Sequence, residues 1–195
     1  MAGNSAWSFP TSLNIGGIDY EIRTDYRVVI DLFTALNDPE ILSESEELVA
    51  YAQTQCILQI MFPNYEDIPE EYVQEALQKV SEFIDMGIRD EQKKPKTMDW
   101  EQDAPIIIPA VNKVLNTEIR AQKYIHWWTF LGAYMEIGES LFSNVVEIRQ
   151  KKSKGKKLEK WELEFYRENK ALVDLKTKYT EAEIEEQERF KRMFD

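Results

Sequence analysis

A mainly α-helical fold, a helical bundle with a small N-terminal β-hairpin and a long C-terminal helix, is predicted by three features of the sequence. Alternation of apolar and polar residues is confined to the first 24 residues, around Gly16-Gly17. From Thr24 onward apolar residues recur with the three-and-four spacing of an amphipathic helix. From Leu158 to Asp195 no glycine or proline interrupts the chain. These features divide it into a hairpin segment (1–24), a helical core (25–148), and a basic loop with a terminal helix (149–195).

In the first segment, Ser12-Leu13-Asn14-Ile15 and Ile18-Asp19-Tyr20-Glu21-Ile22 alternate on either side of Gly16-Gly17. Two short strands joined by two glycines signal a tight hairpin, because primed turns need positive φ. A lone hairpin is marginal in water, so this one must pack on the chain or pair with a partner strand.

Tyr26, Val29, Ile30, Phe33 and Leu36 then mark one helix face, ended by Asn37-Asp38-Pro39. Ser43 with Glu46 reads as a capping box for a helix with the stripe Leu48, Val49, Ala52, Cys56 and Ile60, stopped at Pro63. Pro69 suits a first helical turn. The stripe Val73, Ala76, Leu77, Val80 and Ile84 follows and Gly87 closes it. Arg89 to Thr97 reads as a polar surface loop. Asp99 and Gln102 suggest another capping box, for a helix that Pro109 should break or bend near Ile108.

Thr117 to Ile137 reads as the most apolar helix, with His126 inside it. Tyr124, Ile125, Trp128, Leu131 and Met135 make one stripe, and Trp127, Phe130, Tyr134 and Ile137 a second. A helix apolar on two faces is either central in the core or covered by a partner. In the last segment, Leu158, Trp161, Phe165, Leu172, Leu175 and Tyr179 fall on one seam, with Glu168 and Ala182 in its remaining slots. A continuous helix of that extent would run roughly 50 Å at about 1.5 Å per residue. It either lies along the bundle or projects to pair with another helix.

Composition excludes several function classes. Hydrophobic residues make up 43% of the 195 and aromatics 12%, enough for a packed core. The net charge of -12 argues against general polyanion binding, which needs basic surface. The charge is uneven: residues 1–148 carry -15, residues 149–180 carry +6 and residues 181–195 carry -3. The lysines at 151, 152, 154, 156 and 157 read as a solvated loop, with nucleic-acid contact as the alternative. Cys56 is the lone cysteine and His126 the lone histidine, so neither an intrachain disulfide nor a structural zinc site can form. Cys56 reads as a small buried apolar side chain and His126 as a packed or solvent-facing ring. There is no phosphate-binding glycine loop, no GxSxG, no HExxH and no EF-hand loop. The expectation is a non-enzymatic protein with no cofactor and no catalytic or metal-ligating residues. No apolar run approaches the ~20 residues of a membrane span, and Met1 to Trp7 lacks the features of a secretory signal. The expected location is the cytoplasm.

Three stretches resemble the siphophage "gene product fifteen" family. The first is Phe9-Pro10-Thr11-Ser12-Leu13 with Ile15-Gly16-Gly17 and Tyr20, then Thr24-Asp25-Tyr26-Arg27. The second is Met98-Asp99-Trp100-Glu101-Gln102-Asp103, similar to the family's aspartate-aromatic-glutamate-glutamine-aspartate block. The third is Tyr124-Ile125-His126-Trp127-Trp128-Thr129-Phe130, followed by Phe142 and Glu147-Ile148-Arg149. The resemblance runs from residue 9 to about 150 and is loose beyond; Pro105 and Pro109 depart from the family's helix-forming run. Members are encoded beside the tail tape-measure gene. The resemblance therefore implies a tail assembly chaperone in the host bacterial cytoplasm, with the tape-measure protein as partner and self-association into multimers. A structural component retained in the phage tail and a nucleic-acid-binding accessory protein are the alternatives. Helix-in-groove recognition needs apolar anchors at helical spacing. The candidates are Trp127, Trp128, Phe130 and Tyr134 in one set, and Leu158, Trp161, Phe165 and Leu172 in the other.

Overall fold

The structure is a computed structural model that describes residues 7–88 and 95–192. The expected loop at 89–97 therefore lies largely outside the described residues. The fold is mainly helical, with one two-stranded antiparallel hairpin.

Strands β1 (Ser12–Ile15) and β2 (Ile18–Glu21) pair with Leu13 opposite Tyr20 and Ile15 opposite Ile18. Gly16 and Gly17 both take positive φ, 57° and 84°, as a two-residue primed turn requires. Gly16 is needed twice over, since a Cβ there would sit 2.7 Å from the Tyr72 ring. The hairpin packs on the chain itself, chiefly through β1 against α4 (Val73–Ile84). Ile15 is fully buried there.

Helix α1 (Tyr26–Leu36) follows the expected stripe and is N-capped by Asp25. A short α2 (Pro39–Leu42) precedes α3 (Glu46–Met61). The N-cap of α3 is Ser45, not Ser43, and Ser43 instead closes α2 by donating its hydroxyl to the Glu40 carbonyl. The buried face of α3 also differs from the expected stripe. Leu58, Met61 and the following Phe62 enter the core, Cys56 is half-buried, and Leu48 is exposed. The buried residues of α3, Leu58 and Met61, lie in its last turn. Pro69 caps a 3-10 turn (Glu70–Tyr72) that leads into α4. At the end of α4, Met86 takes the left-handed position (φ 53°), and the Gly87 N–H returns to the Glu82 carbonyl. This is a Schellman closure with glycine one position late.

Asp99 accepts from the Gln102 N–H, as expected, but the reciprocal partner is Asp103, whose carboxylate accepts from the Asp99 N–H. Helix α5 (Ala104–Leu115) runs through Pro109 without a break. Proline removes one hydrogen bond there, but Ile106, Ile107, Ala110 and Val111 are buried on one face, and α6 and α7 hold the element.

The expected helix over Thr117–Ile137 is much shorter. Residues Ile119–Ala121 form a 3-10 turn, the chain then extends, and α6 is Trp127–Met135. The extended stretch forms a bridge between Asp25 and His126. The Tyr26 N–H donates to the Ile125 carbonyl (3.0 Å), and the Trp127 N–H donates to the Thr24 carbonyl (2.7 Å).

Helix α7 (Leu141–Ser153) begins at a Ser140/Ser143 capping box and ends in a turn with Gly155 at φ 63°. The long terminal helix does not form. It is divided into α8 (Lys160–Glu168), α9 (Lys170–Val173) and α10 (Glu181–Arg192), with an extended stretch at 174–180. The interruption has a tertiary cause: the Gln102 amide clamps the backbone on both sides of Leu175. Its Nε2 donates to the Asp174 carbonyl (2.8 Å), and its Oε1 accepts from the Lys176 N–H (2.9 Å). One contiguous core runs from Ile15 of the hairpin to Val173 of α9.

Candidate functional site

The three sequence blocks singled out above meet in space. Asp25 caps α1 and also accepts from the Ile125 N–H (3.1 Å). Arg27 is held by Asp25 and donates to the carbonyls of Ile119 (3.2 Å) and Gln122 (2.6 Å). The first block is thereby locked to the approach of the third.

His126 is 3% exposed and is the N-cap of α6. Its Nδ1 accepts from the Trp128 N–H (3.0 Å), which leaves the proton on Nε2 to donate to the Pro10 carbonyl (3.1 Å). Phe9 stacks on the ring at 4.4 Å. Burial pushes the imidazole pKa below its ordinary value, partly offset by the Pro10 carbonyl. The histidine is thus a neutral structural cap with both ring nitrogens engaged. The two tryptophans after it do related work. Trp127 Nε1–H donates to the Ile84 carbonyl (2.9 Å) and Trp128 Nε1–H to the Phe83 carbonyl (2.8 Å). Both add donors to carbonyls at the C-terminal end of α4, where the Phe83 carbonyl also accepts from the Met86 N–H.

The second block meets the end of the third through a buried ion pair. Arg149, 6% exposed, makes a forked contact with the fully buried Asp103 (2.6 and 2.9 Å). Its other donors reach the carbonyls of Val173 (2.6 Å), Leu172 (2.9 Å) and Thr97 (3.1 Å). Every guanidinium N–H has an acceptor, the condition under which a buried charge is tolerated. One side chain thereby joins α5, α7, α9 and the segment before Met98.

The sequence-predicted contact residues divide by burial. Trp127 and Phe130 are each 1% exposed; both belong to the core, and Phe130 also lines the furrow between α1 and α5. The second stripe of α6 is its core face. Trp128, Tyr134, Leu158, Phe165 and Leu172 are half-buried against the core, and Trp161 is exposed at 45%. Burial, with a smaller contribution from Asp103, pushes the Tyr134 phenol up to about 12. On α8 the wholly buried residue is Glu162, which pairs with Lys151 at 2.6 Å and accepts from the Glu159 N–H. Lys152 pairs with Asp174 and lies over the Tyr166 ring. Two lysines of the basic run are thus engaged within the chain.

An open apolar furrow of about 350 Å³ lies between α1 and α5. Its walls are Ile30, Ile107, Ile108 and Ile119, and its floor is Tyr26, Trp100 and Phe130. The floor takes one aromatic residue from each of the three blocks. Tyr26 and Phe130 stack at 4.7 Å, and Trp100 lies 6.2 Å from Phe130. Arg27 and Asp31 stand at the rim; Arg27 is neutralised by Asp25, whereas Asp31 is exposed and has no partner among the described residues. Sequence reading missed this feature. Its signal was the run Ile106-Ile107-Ile108, one residue too many for a single buried face. Among the described residues no cluster of three or more His, Cys, Asp or Glu could hold a metal ion, and no helix is long and apolar enough to cross a membrane.

The model of the bacteriophage Gp15 protein family matches residues 8–175. No curated protein and no solved structure matches the chain. The family match covers most of the chain and extends through the Arg149 contacts at Leu172 and Val173, beyond the limit near residue 150 read from sequence. The chain belongs to the bacteriophage Gp15 family, and α10 lies outside the matched residues.

Proposed function

We propose that this member of the bacteriophage Gp15 family is a non-enzymatic tail assembly chaperone that covers apolar helical segments of the tape-measure protein in the host cytoplasm. The observation that carries this reading is the α1–α5 furrow, whose aromatic floor draws on all three family-like blocks. A tape-measure protein is a long helical chain with apolar stripes, soluble while those stripes are covered. A furrow of this kind accepts one or two side chains at helical spacing, with a basic residue of the incoming helix beside Asp31. Each such contact is small, which suits a coat that must later leave: many weak contacts hold collectively and release singly.

Co-expression with the cognate tape measure tests the proposal. The wild-type chain should keep the tape measure soluble and co-purify with it, and Ile108→Lys should lose both without unfolding. A tape measure that is equally soluble alone and never co-purifies would overturn it. Retention in finished particles, detected by mass spectrometry at the level of tail proteins, would favour a structural tail component instead.

A further inference from the structure

Two surfaces of opposite charge remain outside both the core and the furrow. The first is α10. Its described side chains are all exposed, among them Ile184 at 46%. Among the described residues it is tied at its beginning: the Thr180 and Glu183 side chains cap it reciprocally, and the Glu181 N–H donates to Glu40. Glu181, Glu183, Glu185 and Glu186 give its first half an acidic surface around Ile184. A 12-residue helix whose described side chains are all exposed sits at the lower end of the ~12–15 residues at which isolated helices begin to hold in water. It calls for a covering surface.

The second surface is the corner between α7 and α8. Lys154, Lys156, Lys157 and Lys160 are exposed there and have no ion-pair partner among the described residues. Trp161 stands beside them with 45% of its surface open. Its indole N–H is engaged by Glu159, so what it offers is the ring face. The corner is one exposed part of the +6 segment in a chain whose first 148 residues carry -15. An acidic amphipathic helix is repelled by the body and drawn to this corner.

We infer that α10 of one copy docks on the α7–α8 corner of a second copy, its glutamates facing Lys154, Lys156, Lys157 and Lys160 and Ile184 meeting the Trp161 ring. The contact is heterologous, since different patches meet. One-way docking builds an open chain of copies, and mutual exchange of α10 closes a pair. The inference does not depend on the tape-measure reading, because both surfaces belong to this chain.

Analytical ultracentrifugation of the full chain tests it with two variants. One reverses the corner (Lys154→Glu, Lys156→Glu, Lys157→Glu); the other reverses the helix (Ile184→Lys, Glu185→Lys, Glu186→Lys). All six positions are exposed, and thermal unfolding checks that each variant keeps its fold. Wild type should self-associate with a Kd on the order of 10–100 μM, as fits a small interface. That association should weaken sharply between about 0.1 M and 1 M salt, where the screening length falls from ~10 Å to ~3 Å. Each variant alone should be monomeric, and an equimolar mixture of the two should restore the pair, because each supplies the surface complementary to the other's. A wild type that stays monomeric at concentrations well above that Kd overturns the inference. So does association unaffected by either variant. A corner that retains a single-stranded oligonucleotide while the protein remains monomeric also overturns it, in favour of a polyanion ligand.

Discussion

At the scale of single residues, the side chains that make the sequence recognisable prove to be joints of the fold. Arg149 is the clearest. Removing one partner from a fully bonded buried pair leaves a stranded charge, at a cost of about 3–5 kcal/mol. Asp103→Ala and Arg149→Leu should therefore each lower the urea midpoint by that equivalent. Arg149→Lys should be nearly as damaging, because an ammonium cannot reach Asp103, Val173, Leu172 and Thr97 together. A midpoint unchanged in any of the three would remove the joint from the account. His126 gives the pH dependence. Its folded pKa lies below the ordinary value of about 6.5, so under acid conditions the unfolded chain binds a proton that the folded chain resists. The contribution is intact above about pH 6.5 and is lost as pH falls from there toward the folded pKa. In His126→Asn, whose side-chain oxygen also caps, stability should lose this component of its slope below about pH 6.5. A slope identical to wild type would show that the ring does not titrate as described.

At the scale of elements, two positions separate local preference from tertiary control. Gly16→Ala forces a left-handed conformation on a side chain and drives its Cβ into Tyr72. It should cost about 1–3 kcal/mol and loosen the hairpin on α4, measured by urea unfolding. Pro109→Ala should act the other way, restoring the missing bond to the Pro105 carbonyl and stabilising α5 by about 1–3 kcal/mol. The same contrast explains what could be read from sequence. The hairpin and α1 were legible because their signals are local: a glycine pair and one clean stripe. The split of the C-terminal segment was legible only in part. Thr180 with Glu183 is a capping box visible in the sequence, and it marks the start of α10. The Gln102 clamp that extends 174–180 comes from more than seventy residues away and leaves no local trace. Likewise the apolar run before α6 looks helical until Asp25 and Thr24 claim its backbone. Trp127 and Phe130 were read as a possible partner face because periodicity counts apolar faces without saying which one the core takes. Burial assigns both to the core, with Phe130 reaching the furrow between α1 and α5 from below.

At the scale of the whole molecule, the three family-like blocks place a rigid aromatic platform beneath an open apolar furrow, and charge is segregated between an acidic body and a basic corner. The central claim is that this furrow is where a foreign helix lies. Amide hydrogen exchange on the chain with and without bound tape-measure protein tests it most directly. The account predicts slowed exchange concentrated in Tyr26–Leu36 and Ala104–Leu115, with the interior joint at Arg149 already protected in the free protein. Complex formation that leaves α1 and α5 exchanging as before, with protection appearing elsewhere, would contradict it.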